Sequence, residues 1–244
     1  MTSRTWDAAT YDRVSAPQVA WSEAILDRLE LRGDEVVLDA GCGSGRVTEL
    51  LLARLPQGRV IALDADADMV RATGERFAGN PRVEVVHQSL TDLDLAEQVD
   101  AVFSGATFHW VLDHDELFAR LGRAVRPGGH ISAQCGGEGN IARVKGIADR
   151  LFPGEPPRIW CYPGPEETRE RLERNGFTDV ETWLQPSPVT PPEPLTFLGD
   201  VILGPYVQRL PEADRGSFAE AVLAELDDPP VLDYVRLNIT GRKA

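Results

Sequence analysis

Residues 36–45, VVLDAGCGSG, decide the fold of this chain. The first three positions are apolar without alternation, as in a parallel strand that is buried on both faces. The glycines at positions 41, 43 and 45 allow a sharp turn and leave bare backbone against which a ligand can lie. A helical pattern from Arg46 to Leu55 follows, and the amide groups at its start point back toward such a ligand. This order of strand, glycine loop and helix predicts a nucleotide site at the end of the first strand.

The glycine spacing separates two kinds of nucleotide site. A dinucleotide-binding loop follows the pattern G-x-G-x-x-G, which from Gly41 requires a glycine at position 46, where this chain has Arg46. Asp39, two residues before the first glycine, would also repel a pyrophosphate group. The same carboxylate suits a ligand that brings an ammonium group to the loop. An NAD-linked oxidoreductase therefore stays an alternative that this loop disfavours.

Composition limits the classes of partner. A chain of 244 residues that is 42% hydrophobic can bury one α/β core with room for a small added subdomain. The net charge of −14 disfavours a nucleic-acid partner. The three cysteines lack metal or C-x-x-C spacing, residues 1–31 lack a signal-peptide pattern, and no stretch has the length of a membrane span. We expect a cytoplasmic protein without a metal site or a membrane partner.

A second acid follows the second strand. Residues 59–64, RVIALD, end on Asp64 about twenty residues beyond the glycines, the spacing at which an acid meets ribose hydroxyls in such folds. Its two oxygens can accept both hydroxyl protons. Asp66 fits better as the N-cap of the next helix. We therefore predict Asp64 as the ribose ligand.

The segment after the fourth strand is the best candidate for the reacting end of the site. Strand 99–104 is followed by residues 105–110, GATFHW, at its carboxyl end. Ligands of open α/β sheets bind beyond the carboxyl ends of the strands, near the point where the strand order reverses. His109 in this segment is the candidate for general acid or base catalysis.

The sequence D-x-G-x-G-x-G at residues 39–45 resembles motif I of the class I S-adenosylmethionine-dependent methyltransferases. Residues 126–129, Arg-Pro-Gly-Gly, are a second similarity. With Val125 they predict a turn into a fifth strand at residues 130–134, because proline fixes φ and glycine allows unusual φ values. Within this superfamily the chain is most similar to the trans-aconitate 2-methyltransferase-like enzymes. They share a W-x-x-x-x-Y start, here Trp6 and Tyr11, and an A-x-x-x-W pattern after the fourth strand, here residues 106–110.

The resemblance implies an α/β fold with a Rossmann-like, doubly wound sheet of seven strands, mostly parallel with an antiparallel last strand, plus a small helical cap. It implies three regions. Residues 1–35 would form an N-terminal lid and helix, residues 36–185 with 230–244 the cofactor-binding core, and residues 186–229 a helical cap between the last two strands. The pattern over residues 195–210 and 212–226 indicates two helices in this cap.

The resemblance further implies S-adenosylmethionine as cofactor and assigns the site. The family commonly has an aspartate for the adenine amino group where this chain has Ser89, so the serine hydroxyl or Asp92 would make that contact. Trp6 and Tyr11 would form part of a lid, although packing of an N-terminal helix explains them equally well. The expected cofactor-binding residues are Asp39, Gly41, Gly43, Gly45, Asp64, Ala65, Ser89, Leu90, Ser104 and Tyr11. The expected substrate-binding residues are Trp6, Trp110 and Arg158.

The implied reaction is in-line displacement of the sulfonium methyl group by an acceptor atom of a small molecule, most simply a carboxylate or hydroxyl oxygen. A carboxylate is ionised at neutral pH and needs no base, but it needs a cationic anchor. A hydroxyl or amine acceptor would benefit from deprotonation by His109. A non-catalytic module that senses the nucleotide is a further alternative, because fold alone does not establish function. The candidate anchors are Arg143, Lys145, Arg158 and Arg209.

Overall fold

A computed structural model describes residues 22–244. Seven strands form one sheet: Val36–Ala40 (β1), Arg59–Asp64 (β2), Val83–His87 (β3), Val99–Gly105 (β4), Val125–Gly136 (β5), Phe177–Pro186 (β6) and Val235–Lys243 (β7). Their order across the sheet is β3-β2-β1-β4-β5-β7-β6. The order reverses between β1 and β4, which is where open α/β sheets bind ligands.

Helices connect most of the strands. They are Arg46–Arg54 (α1), Ala67–Arg76 (α2), His114–Ala124 (α3), Ala142–Leu151 (α4), Pro165–Arg174 (α5), Pro194–Phe197 (α6), Gly204–Val207 (α7) and Glu212–Ala224 (α8), with a π-helical segment Leu198–Ile202. Residues 22–26 are also helical. Among residues 22–244, every helix is too short or too polar to cross a bilayer.

The strand directions confirm the predicted fold class. The pairs β1–β2, β1–β4, β2–β3 and β4–β5 are parallel, whereas β7 is antiparallel to both β5 and β6. The carboxyl ends of the parallel strands therefore lie along one edge of the sheet, which we call the carboxyl edge. Because β7 runs in the opposite direction, its first residues lie at the carboxyl edge as well.

Three hydrophobic clusters hold the elements together. Neighbouring residues of β1 face opposite ways: Leu38 packs with α3 and α5 in one cluster, and Val37 packs with residues 22–26 and α1 in another. This alternation is why the first strand reads as continuously apolar. A third cluster joins α4 to the helices between residues 194 and 224. The predicted division into lid, core and cap stays a prediction, and this cluster shows that α4 packs with the cap helices.

The predicted helix over residues 195–210 is wrong in detail, because three short segments replace it. Leu203 N–H donates to the carbonyl of Leu198 at 2.7 Å, a π-helical hydrogen bond. Pro205 follows at the start of α7, where it has no N–H to continue the preceding helix. The chain therefore restarts its helix at Gly204.

The predicted fifth strand is too short. The sequence predicts a turn over residues 125–129 before a strand at residues 130–134, but β5 begins at Val125. Val125 pairs with Val99, and after a register shift His130 pairs with Ala101. Pairing with β4 thus extends the strand on both sides of the Pro-Gly-Gly sequence, which lies in the irregular part of the ladder.

Candidate active site

The glycine loop between β1 and α1 is packed at both ends and open in the middle. All three glycines have positive φ: +86° at Gly41, +56° at Gly43 and +83° at Gly45. A Cβ on Gly41 would lie 2.1 Å from Thr107 Oγ1, and one on Gly45 would lie 2.9 Å from Phe77 Cε2. A Cβ on Gly43 would have no neighbour within 4 Å. The structure thus leaves room for a ligand at Gly43, in the centre of the loop.

Asp39 is buried beneath this loop with 1% of its surface exposed. The hydroxyl of Thr48, one turn into α1, donates to Asp39 Oδ2 at 2.7 Å. Burial raises the pKa of Asp39 to about 7, the Thr48 hydrogen bond opposes that rise, and the nearby charge of Asp64 adds to it. An ammonium group beside Asp39 would favour its charged form. The site therefore fits the cationic end of the expected cofactor.

Asp64 ends β2 and holds the loop from the other side. Gly43 N–H donates to Asp64 Oδ2 and Asp66 N–H to Asp64 Oδ1, each at 2.9 Å. Burial is the main cause of its raised pKa. Each oxygen keeps a lone pair for a ribose hydroxyl. Asp66 caps α2 by accepting from the N–H groups of Asp68 and Met69, as predicted.

The other predicted cofactor residues lie at the carboxyl edge but differ in what they offer a ligand. Ser89 uses its hydroxyl to accept from Thr91 N–H and to contact Thr91 Oγ1. Ser104 is fully buried, and its hydroxyl donates to the carbonyl of Ala40 at 2.7 Å, which ties β4 to β1. The Ala65 carbonyl contacts His87 Nε2 at 3.1 Å. Leu90 is buried. The cofactor roles of these residues stay predictions, and Tyr11 lies outside the described residues.

His109 and Trp110 belong to one turn of 3₁₀-helix after β4. Gly136 N–H donates to His109 Nδ1 over a long 3.4 Å, and Cys161 N–H donates to the carbonyl of His109 at 2.9 Å. An Nδ1 that accepts must be unprotonated, so in a neutral ring the proton is on Nε2. In that tautomer Nε2 is a donor, and the role of His109 as a general acid or base stays a prediction.

Aromatic rings surround this turn. His109 stacks on Tyr162 at 5.9 Å between centroids, and Trp110 contacts Trp160 at 5.7 Å. Trp160 in turn contacts Tyr162 at 6.1 Å and the buried Tyr206 of the cap at 6.0 Å. We call His109, Trp110, Trp160, Tyr162 and Tyr206 the aromatic cluster. It connects the end of β4 to the cap and forms an apolar setting beside the carboxyl edge.

Three of the four cationic residues proposed as substrate anchors are exposed, and Lys145 is half-buried. The Arg158 side chain is 90% exposed and lies 3.8 Å from Glu155. Arg143 pairs with Asp227, Lys145 pairs with Asp149, and Arg209 is exposed. Of the four, Lys145 reaches the aromatic cluster indirectly, because Asp149 also accepts a hydrogen bond from the Tyr206 hydroxyl at 2.5 Å. The substrate role of Arg158 stays a prediction. Trp6, the other predicted substrate residue besides Trp110, lies outside the described residues.

Sequence reasoning missed Arg236 on β7. It is 3% exposed, and its Nε donates to Gln134 Oε1 at 3.2 Å. Arg236 pairs in register with Gly136, so it lies at the carboxyl edge beside the turn that carries His109. The signal was present in the sequence, because a charged residue between Val235 and Leu237 interrupts an apolar strand. Only the position of β7 inside the sheet shows that this residue is buried.

These features define the protein as a nucleotide-binding α/β protein with a Rossmann-like, doubly wound sheet. Residues 37–129 match a family described as "Methyltransferase domain". The trans-aconitate 2-methyltransferase of Methylobacterium nodulans is 29% identical over 179 residues, which are 73% of this chain and 67% of that protein. The enzyme of the same name from an Azoarcus species is 35% identical over 130 residues, 53% of this chain and 50% of that protein.

The solved structures agree with these matches at the level of the fold. YcgJ from Bacillus subtilis superposes with a TM-score of 0.68 at 16% identity, over 92% of this chain and 98% of that chain. By these comparisons the chain is similar to the class I S-adenosylmethionine-dependent methyltransferases, and among them to the trans-aconitate 2-methyltransferases. This confirms the resemblance drawn from motif I. The chain spans about half to two-thirds of the length of the curated relatives it matches.

Proposed function

We propose that this protein transfers the methyl group of S-adenosylmethionine to a carboxylate oxygen of a small organic acid. The observation that carries the proposal is the open backbone at Gly43, which lies beside the buried carboxylate of Asp39 and the half-buried carboxylate of Asp64. The cofactor supplies a methyl group on a cationic sulfur, which is a good leaving group. The protein therefore has to position the two reactants and exclude water.

Asp39 would hold the ammonium group of the cofactor, and Asp64 would accept hydrogen bonds from the ribose hydroxyls. Asp64 is suited to this role because Gly43 N–H and Asp66 N–H already fix its orientation. Ala65, Ser89 and Leu90 follow β2 and β3 and would lie beside the adenine ring. In this arrangement the methyl group would point along the carboxyl edge toward the turn that carries His109.

The acceptor would lie against the aromatic cluster. The names of the relatives favour a carboxylate acceptor over a hydroxyl. A carboxylate is already ionised at neutral pH, so no residue has to remove a proton. His109 would then orient the acceptor through its Nε2–H, and the Trp110 indole N–H is a second donor in the same turn. The cap at residues 186–229 would cover the bound acid.

Methyl transfer to a carboxylate gives a methyl ester, which can be recognised by its hydrolysis in mild alkali. Purified protein incubated with methyl-labelled S-adenosylmethionine and a panel of carboxylic acids that includes trans-aconitate should give a labelled methyl ester. Mild alkali hydrolyses an ester and releases labelled methanol, whereas a methyl ether or methylamine keeps its label. If the label is stable to alkali, the acceptor atom is not a carboxylate oxygen. If no acid is methylated, the proposal is rejected.

A further inference from the structure

Thr107 is the residue at which the turn after β4 touches the glycine loop. The strands β1 and β4 are parallel neighbours, with Asp39 opposite Phe103, so the loop and the turn leave the carboxyl edge side by side. A Cβ on Gly41 would lie within 2.5 Å of three Thr107 atoms, Cβ, Oγ1 and Cγ2. The Thr107 side chain therefore occupies the space that a side chain on Gly41 would need.

Packing contributes more than hydrogen bonding to this contact. The Thr107 hydroxyl donates to the carbonyl of Gly41 at 3.3 Å, which is beyond the usual range for a hydroxyl donor. Gly41 N–H donates in turn to the carbonyl of Leu63 in β2 at 2.8 Å. Gly41 is thus held between β2 and Thr107. Because packed protein interiors have low compressibility, a shift of the glycine loop toward β4 would displace Thr107.

Hydrogen bonds link Thr107 to the rest of its turn, residues 105–110, which we call the acceptor turn. Trp110 N–H donates to the Thr107 carbonyl at 2.9 Å, and Ala106 N–H donates to the Gln134 carbonyl at 2.8 Å. Ala106 has φ +75°, a left-handed conformation that is strained in an L-residue and persists only where the surrounding contacts enforce it. The two proposed donors to the acceptor lie in this turn, so their positions depend on that of Thr107.

Helix α3 holds the other side of the acceptor turn. His114 is 3% exposed, and its Nε2 donates to the Phe108 carbonyl at 3.0 Å. Phe108 is buried as well, and its ring packs edge to face on Phe118 of α3 at 5.9 Å between centroids. The acceptor turn is therefore fixed against α3, and Thr107 is its contact with the glycine loop.

We propose that Thr107, by packing against Gly41, couples the glycine loop to the acceptor turn and so sets the position of the acceptor relative to the transferred methyl group. This inference rests on the proposed function, in which the glycine loop holds the methyl donor and the acceptor turn contacts the acceptor. In-line displacement needs the reacting atoms about 3–3.5 Å apart, and a displacement of about 1 Å can cost about a hundredfold in rate. Thr107 acts through the loop and the turn, which makes it a positioning residue.

Hydrogen exchange of the acceptor turn tests this coupling without any acceptor. Saturating S-adenosylhomocysteine should slow the exchange of peptides that cover residues 105–110 by at least about tenfold in the wild-type protein, because the occupied glycine loop holds Thr107 in place. Thr107→Val keeps the branched shape without the hydroxyl and should keep this protection. Thr107→Ala removes both branches of the side chain, so the protection should fall below about threefold.

Methyl transfer to trans-aconitate gives the kinetic readout. With cofactor and acceptor both saturating, Thr107→Ala should lower kcat by roughly 10- to 100-fold, while KM for the acceptor and Kd for S-adenosylhomocysteine stay within about threefold. Thr107→Val should keep kcat within about threefold of the wild type. A residue that only supported the fold would change Tm without this split between kcat and KM.

Two other threonines provide matched controls. Thr178 of β6 is exposed, and its hydroxyl also makes a long hydrogen bond, to the Arg242 carbonyl at 3.4 Å near the opposite edge of the sheet. Thr178→Ala should change neither the exchange nor kcat. Thr73 contacts the glycine loop from α2, where its hydroxyl donates to the Gly43 carbonyl at 2.7 Å. Thr73→Ala should weaken the binding of S-adenosylhomocysteine, but at saturating ligand the acceptor turn should keep its protection.

Three results would overturn the inference: full exchange protection in Thr107→Ala, a kcat of Thr107→Ala within about threefold of the wild type, or equal losses in Thr107→Val and Thr107→Ala. The last would exclude packing as the cause. A different result marks failure of the proposed function itself, because in that case the wild-type protein methylates no carboxylic acid at all. The exchange experiment would then still decide whether Thr107 couples the loop to the turn, because it needs only S-adenosylhomocysteine.

Discussion

The Asp39 carboxylate is only 1% exposed, and this burial opposes folding when the group is charged. Its pKa rises from 3.8 to about 7 on folding, mainly because burial disfavours the charged form. Between these two values the folded protein binds more protons at Asp39 than the unfolded chain does. The stability of the ligand-free protein therefore falls as the pH rises through this window, and the loss is complete above it. The charged Asp39 carboxylate lowers the stability of the ligand-free protein, and this favours a role in binding.

Asp39→Asn should separate stability from binding. Asparagine keeps the shape and an acceptor for Thr48 but has no charge to bury, so the ligand-free variant should melt at a higher temperature at about pH 8. The gain should shrink as the pH falls toward 4, because Asp39 is then protonated. Affinity for S-adenosylhomocysteine should fall at least about tenfold, because the partner of the ammonium group loses its charge. Thermal unfolding at several pH values measures the stability effect, and calorimetry measures the affinity. An unchanged affinity would show that Asp39 does not contact the cofactor.

His109→Gln tests whether the reaction needs a base. Glutamine keeps a donor near Nε2 but cannot take up a proton at neutral pH. We expect turnover of a carboxylate acceptor within about threefold of the wild type and a larger loss in His109→Ala, which has no donor. A fall in kcat of about a hundredfold or more for His109→Gln would instead support His109 as a general base. Rates with saturating acceptor distinguish these results.

At the scale of the elements, the glycine loop offers a matched pair of substitutions. Gly43 and Gly79 both have positive φ, at +56° and +78°, and an added Cβ has no neighbour within 4 Å at either position. Alanine at each should cost about 1–2 kcal/mol of stability, because an L-residue is strained there. Only Gly43→Ala should weaken S-adenosylhomocysteine binding, because its methyl group enters the space proposed for the cofactor. If both variants bind S-adenosylhomocysteine equally well, the cofactor does not lie against Gly43.

The elements also show where local sequence signals succeed. The end of β1 at Ala40, the end of β2 at Asp64 and the N-cap at Asp66 were predictable, because each depends on residues within a few positions. The start of β5 was not, since hydrogen bonds to β4 override the turn signal of Pro-Gly-Gly. The break near Pro205 could have been predicted from its missing N–H, which the apolar periodicity concealed.

For the molecule as a whole, ligand binding should reveal which cofactor the fold accepts. A ligand at about a hundred times its Kd stabilises the folded state by about 2.7 kcal/mol. For a domain of this size, S-adenosylhomocysteine should therefore raise Tm by roughly 5–10 °C, and NAD should leave it unchanged. Differential scanning calorimetry with each ligand is sufficient. A rise in Tm with NAD alone would support the NAD-linked oxidoreductase alternative. A rise in Tm with S-adenosylhomocysteine, without methyl transfer to any acceptor, would support the non-catalytic module that senses the nucleotide.

The sequence by itself determined the alternation of strands and helices, the glycine loop at residues 41–45, the acids at the ends of β1 and β2, and through them the resemblance to the methyltransferases. These features are local, because each depends on backbone preferences within one strand–loop–helix unit. The tertiary structure decided that Ser104 ties β4 to β1 and that Arg236 lies beside the turn of His109. Arg236 and Gly136 are far apart in sequence and meet only because β7 inserts antiparallel between β5 and β6. Such pairing depends on hydrogen bonds between distant segments, which no local pattern encodes.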